Sequence, residues 1–142
     1  MRTLLGITGA LSLMGVSFSS HAAENCPQVA SIKQVGTGVY RAMGERGQWS
    51  GVLQGVETAP VQSFEMALAI PDHEMATQQF QYCSYNVGFR IELDMLFLPD
   101  NDKEYTVITE GEVWRKEPGH FGLIYNVCEK TAPENCKFSL VQ

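Results

Sequence analysis

Positive charge is scarce in this chain. Ten Lys and Arg stand against sixteen Asp and Glu, for a net charge of −6 at pH 7. An acidic surface repels phosphate backbones and anionic lipid, so no nucleic-acid partner is expected. Histidine is nearly absent as well, with only His21, His73 and His120. His73-Glu74 opens like the zinc-protease motif H-E-x-x-H, but Thr77 stands where the second His belongs. A solvated turn is the better reading of that segment.

Other absences narrow the chemistry further. No C-x-x-C occurs, so the thiol-exchange motif is missing. The only closely spaced cysteines, Cys128 and Cys136, are too far apart for a zinc knuckle. Ser50 lies in Trp-Ser-Gly without the G-x-S-x-G frame of a nucleophile elbow. Gly36-Thr37-Gly38 lacks both a third glycine and a following helix, so no dinucleotide fingerprint is present. No cofactor and no catalytic residue are therefore assigned. Sustained 3.6-residue periodicity is missing too, beyond a turn over Gln28–Lys33 and a short helix over Asp72–Gln79 capped by Asp72.

What is present begins with an export signal. Met1-Arg2-Thr3 is a short basic start, and Leu4–Phe18 is an apolar run broken only by Gly, Thr and Ser. Ser20-His21-Ala22 supplies small residues at both cleavage-determining positions. Residues 1–22 read as the signal, with cleavage after Ala22 first and after Ala23 second. The run is about 15 residues, short of the roughly 20 that span a bilayer. No second long apolar run follows, so no membrane insertion is expected after cleavage. Residues 23–142 are left as one domain, large enough for a core.

All four cysteines, Cys26, Cys83, Cys128 and Cys136, lie beyond the signal. An exported chain meets an oxidising compartment, the periplasm or the exterior, so two disulfides are expected. Three pairings are open. Spacing favours Cys26–Cys83 with Cys128–Cys136. The second pair clips the polar loop Glu129–Asn135; the first ties the new N-terminus to a central strand. On the chain-entropy model these loops stabilise by about 4 and about 2.5 kcal/mol at most.

Short alternating runs recur along the mature chain, with turn residues between them. Strands are predicted over Val39–Met43, Gln48–Val56, Val61–Ile70, Gln79–Tyr85, Phe89–Phe97, Tyr105–Thr109, Glu112–Lys116, Phe121–Val127 and Lys137–Val141. In Val61–Ile70, Phe64, Met66, Leu68 and Ile70 form the predicted buried face. In Phe89–Phe97, Phe89, Ile91, Leu93, Met95 and Phe97 do so. A single flat sheet would leave one apolar face wet. The expected fold is all-β: an antiparallel sandwich or barrel-like curved sheet, stapled by disulfides.

Three residue groups compete as sites. Asp100-Asn101-Asp102-Lys103-Glu104 alternates oxygen ligands as a calcium loop begins, but Tyr105 and Gly111 stand where an EF-hand needs Gly and Glu. A weak calcium site is the alternative to a polar turn. Glu92 and Asp94 share a strand face, like a glycosidase pair or an ordinary charged surface. The aromatics Tyr40, Trp49, Tyr82, Tyr85, Tyr105, Trp114 and Tyr125 form either a binding platform or a β core, and the core is favoured.

The order Cys26-Pro27, Gly38-x-Tyr40-x-Ala42, Trp49-x-Gly51, Phe64-x-x-Ala67 and Cys83-x-Tyr85 resembles a group of small exported bacterial proteins of unknown function. The resemblance covers residues 26–98. It implies a periplasmic or secreted bacterial domain with a Cys26–Cys83 link, and brings no catalytic residues. The expected function is protein–protein interaction, as an inhibitor or immunity-type protein. A glycan or small-ligand module is the second reading, and a small hydrolase the third.

Overall fold

The computed structural model describes residues 6, 9–10, 22–55, 59–72 and 76–142. The predicted signal lies almost wholly outside these residues, as do Val56, His73 and Glu74. Eleven antiparallel strands form one curled half-barrel sheet among the described residues. In chain order they are β1 (Ala22–Asn25), β2 (Lys33–Gly36), β3 (Val39–Met43), β4 (Gly47–Val52), β5 (Val61–Pro71), β6 (Gln78–Val87), β7 (Ile91–Pro99), β8 (Thr106–Glu110), β9 (Trp114–Pro118), β10 (Ile124–Glu129) and β11 (Lys137–Val141).

The long ladder runs β9-β10-β5-β6-β7-β4-β3-β2. A shorter ladder, β1-β11-β8, joins it through one bridge, Gln78 opposite Val107. The core fills the space between the two. Trp49 lies at its centre, with ring centroids 5.6 Å from Phe80, 5.1 Å from Phe97 and 6.2 Å from Phe138. Phe80 and Phe138 stack at 4.4 Å. Each such contact adds about 0.5–1.5 kcal/mol beyond area burial. Only short 3₁₀ turns interrupt the strands, at Val29–Ser31, His120–Gly122 and Pro133–Asn135.

Both disulfides form as spacing favoured, Cys26–Cys83 and Cys128–Cys136, and all four sulfur-bearing residues are buried. Alternation failed where the ladder shifts register. Between β5 and β6 the pairing slips at Phe64/Met66 and at Leu68/Ala69. Because side-chain period is two, each slip reverses the face. Ala67, not Met66, therefore enters the main core, and Phe80 joins Cys83 and Tyr85 on the inner face while Tyr82 points outward.

Other predictions shift at strand ends. Phe89 is exposed in the β6–β7 turn and not on the buried face of β7. Phe121 falls in the β9–β10 turn rather than in a strand. The described part of Asp72–Gln79 is not helical. The Asp72 N–H donates to the Thr77 carbonyl at 2.9 Å, and β6 starts at Gln78. Strands β1 and β2 had no sequence signal, because neither has a clear alternating run.

Candidate interaction face

On β7 the core takes Leu93, Met95 and Phe97, so the intervening residues face outward. They begin as Glu92 and Asp94 but continue as Leu96 and Leu98. The strand thus becomes apolar on both faces over its second half, which is the pattern of a doubly covered strand. Nothing described covers the outer one. Leu96 is 54% and Leu98 57% exposed, beside Val52 at 67%, Met43 at 75% and Val35 at 57%.

Register makes these residues neighbours. Met43 pairs with Gln48, which pairs with Leu98; Arg41 pairs with Ser50, which pairs with Leu96. Lys33 on β2 stands opposite Arg41. The face is seated closely because β4 presents glycine inward. A Cβ at Gly51 would lie 2.7 Å from Leu93 Cδ1 and 2.9 Å from the Asp94 carbonyl oxygen. The result is an open face on which exposed Met43, Val52, Leu96 and Leu98 are interspersed with Gln48, Ser50 and Arg41, with Lys33 beyond Arg41.

The ladder's two ends are poorly suited to adding a strand. β2 carries Lys33 and a register irregularity between Gln34 and Gly36; β9 carries Arg115, Lys116, Glu117 and Pro118. Charge, bulge and proline are the usual devices that blunt an edge.

Farther along the same outer surface the charge is negative. Glu92 and Asp94 are exposed, and Asn86 donates to the Glu65 carboxylate and to Ser63 Oγ. Burial, helped by Asp94, Glu92 and Tyr125, raises the Tyr82 phenol above its ordinary pKa. Glu92 and Asp94 thus make a charged outer face rather than a paired catalytic cleft.

A cleft of about 740 Å³ opens at the end of β7 and is lined by Asp72, Gln79, Leu98, Asp102, Glu104 and Tyr105 among others. It is mixed in character and holds one aromatic ring. The calcium-like segment forms a turn. The Asp102 N–H donates to the Pro99 carbonyl at 3.1 Å, and the Lys103 N–H to Asn101 Oδ1 at 3.1 Å. The Asn101 amide is further committed to Gln142, in bonds of 2.7 and 2.9 Å. Among the described residues no group of three or more His, Cys, Asp or Glu is placed to hold a metal.

The aromatic residues resolve toward structure. Tyr40, Trp49 and Tyr85 are buried; Tyr40 Oη donates to the Ala59 carbonyl and Tyr85 Oη to that of Pro27. Trp114 Nε1 donates to the Lys137 carbonyl at 3.0 Å, and Tyr105 Oη to that of Phe97 at 3.3 Å. Tyr125 lies against Gly119, where an added Cβ would come within 2.5 Å of the ring. His120 stands exposed at the β9–β10 turn, and Ser50 is exposed on β4.

The apolar face itself was not among the sequence candidates. Its signal was present in Met95-Leu96-Phe97-Leu98, where alternation lapses into a continuous run. A family model for proteins of unknown function, DUF3757, matches residues 20–139. The chain belongs to this family. No curated protein and no solved structure matches it. The match covers β1 through β10 in full and β11 as far as Ser139, so the face described above lies within the family domain.

Proposed function

We propose that this protein is an exported, non-catalytic domain that binds another protein through the outer face of β3, β4 and β7. The observation that carries the reading is the exposed set Met43, Val52, Leu96 and Leu98 on adjacent strands. Exposed apolar side chains gathered on one face and rimmed by polar ones mark sites of interaction, and an open sheet face without a deep cleft suits a protein partner. Both disulfides support export, since buried disulfides form and persist in oxidising compartments. The periplasm or the exterior is the corresponding address. Burial of Tyr40, Trp49 and Tyr85, with Tyr82, Tyr105, Trp114 and Tyr125 half-buried, favours a protein partner over a glycan platform.

The test is capture from the native envelope with the oxidised protein, run beside a Leu96→Asp/Leu98→Asp variant. A defined partner retained by the first and lost by the second is the expected result. An unchanged partner list, or a glycan that raises Tm while no protein is retained, overturns the reading.

A further inference from the structure

The side of the face formed by β2 and β3 has a character of its own. Lys33 and Arg41 are directly paired across the ladder, and both are exposed. Side chains so placed have Cβ atoms about 4.5–5.5 Å apart, and like charges there repel. The arrangement is the more unusual because acidic residues outnumber basic ones sixteen to ten. Yet among the described residues neither cation has a carboxylate within ion-pair distance. A fold with many carboxylates to spare sets two of its few cations against each other.

A shallow groove of about 270 Å³ runs beside them, lined by Lys33, Val35, Arg41, Met43 and Gln48, with Ser31 at one end. Its walls alternate cation and apolar side chain along both strands. Arg41 and Met43 are two residues apart on β3 and project on the same side, and Val35, at the β2 irregularity, lines the same groove as Lys33.

The geometry points to a binding site for an acidic, apolar segment of a partner protein, laid along the outer face of β2 and β3. This rests on the protein-binding reading above and specifies the partner's chemistry. A carboxylate of the segment sits between the Lys33 ammonium and the Arg41 guanidinium and relieves their repulsion. Its neighbouring apolar side chains rest on Val35 and Met43, and the rest of the partner extends toward Leu96 and Leu98. Charge complementarity selects the segment: the bulk of this acidic molecule repels it, so the Lys33/Arg41 pair sets its orientation.

The test is an NMR titration of the oxidised, isotope-labelled protein with a capped hexapeptide of alternating Glu and Leu. A Gln/Leu hexapeptide and decanoate serve as comparisons. The Glu peptide is expected to shift the resonances of Lys33, Val35, Arg41 and Met43, and to bind roughly tenfold more tightly than the Gln peptide. The preference should shrink as salt is raised. A Lys33→Gln/Arg41→Gln variant should match or slightly exceed the parent's Tm, since the repulsion is removed, and lose the preference. Equal binding of the two peptides, or shifts centred elsewhere, overturns the proposal. So does decanoate producing the same shifts more strongly, which would assign the groove to a small amphiphile. Equal peptide binding centred on Leu96 and Leu98 removes the cation site but leaves the protein-binding reading intact.

Discussion

The hydroxyl of Tyr85 donates to the carbonyl oxygen of Pro27, next to the bridge that joins Cys26 to Cys83. Two restraints of different chemistry thus hold one short N-terminal segment against β6. The disulfide limits how far the segment can travel when the chain unfolds. The phenol satisfies a buried acceptor beside it. Tyr85→Phe should therefore destabilise the protein by about 1–2 kcal/mol with both disulfides intact, measured by denaturant unfolding.

The same residue sets an alkaline limit. Burial, with a smaller contribution from Glu134, raises the Tyr85 pKa far above the ordinary value of 10.0. Burial raises Tyr105 as well. Below about pH 10 both folded and unfolded phenols are protonated, so the stabilisation is whole. Above it the unfolded state loses its protons first, and stability falls by up to about 1.4 kcal/mol per pH unit for each such group. Unfolding free energy measured from pH 8 to 11 should bend downward near pH 10. Tyr85→Phe should make that bend shallower; an identical profile would show that Tyr85 does not govern it.

Ala67 on β5 is paired with Cys83 on one side and Cys128 on the other. The two disulfides therefore flank one methyl group, and Ala67 is fully buried. No room remains for a longer side chain. Ala67→Leu should cost about 1–3 kcal/mol through overpacking, seen as a lower denaturant midpoint with an unchanged slope. The removal of either bridge should be graded by loop length. Cys26→Ala/Cys83→Ala is expected to cost more than Cys128→Ala/Cys136→Ala, with about 4 and about 2.5 kcal/mol as upper values.

The residues that were legible in the sequence are those whose environment is local in the chain. The β7 run alternates cleanly through Leu93, Met95 and Phe97, and the structure buries all three. Cys128 and Cys136 bracket a polar loop, and they pair. Where the outcome depends on a partner strand, the pattern misleads. Met66 and Ala67 exchange roles because register with β6 slips beside Phe64. Strand β1 forms because β11 is there to receive it, with Glu24 opposite Phe138, and nothing in Ala22–Asn25 alone predicts that. The proposed interaction face was hidden for a related reason. Leu96 falls on the face opposite the predicted core and Leu98 past the predicted strand end, and only the topology shows that nothing described covers them.

The cation pair on β2 and β3 yields the last prediction, which separates stability from function. In the free protein Lys33 and Arg41 repel across the ladder. Lys33→Glu converts that repulsion to attraction, so it should stabilise the fold by about 0.2–1 kcal/mol, read as a rise in the denaturant midpoint at low salt. Added salt should erase most of the gain. The same substitution places a carboxylate where a partner's carboxylate is meant to sit, so binding of the Glu/Leu peptide should be lost as stability rises. A residue kept only for folding would show the two properties moving together. Opposite movement is what a binding residue produces, because its charge is matched to a molecule that the folded chain alone does not contain.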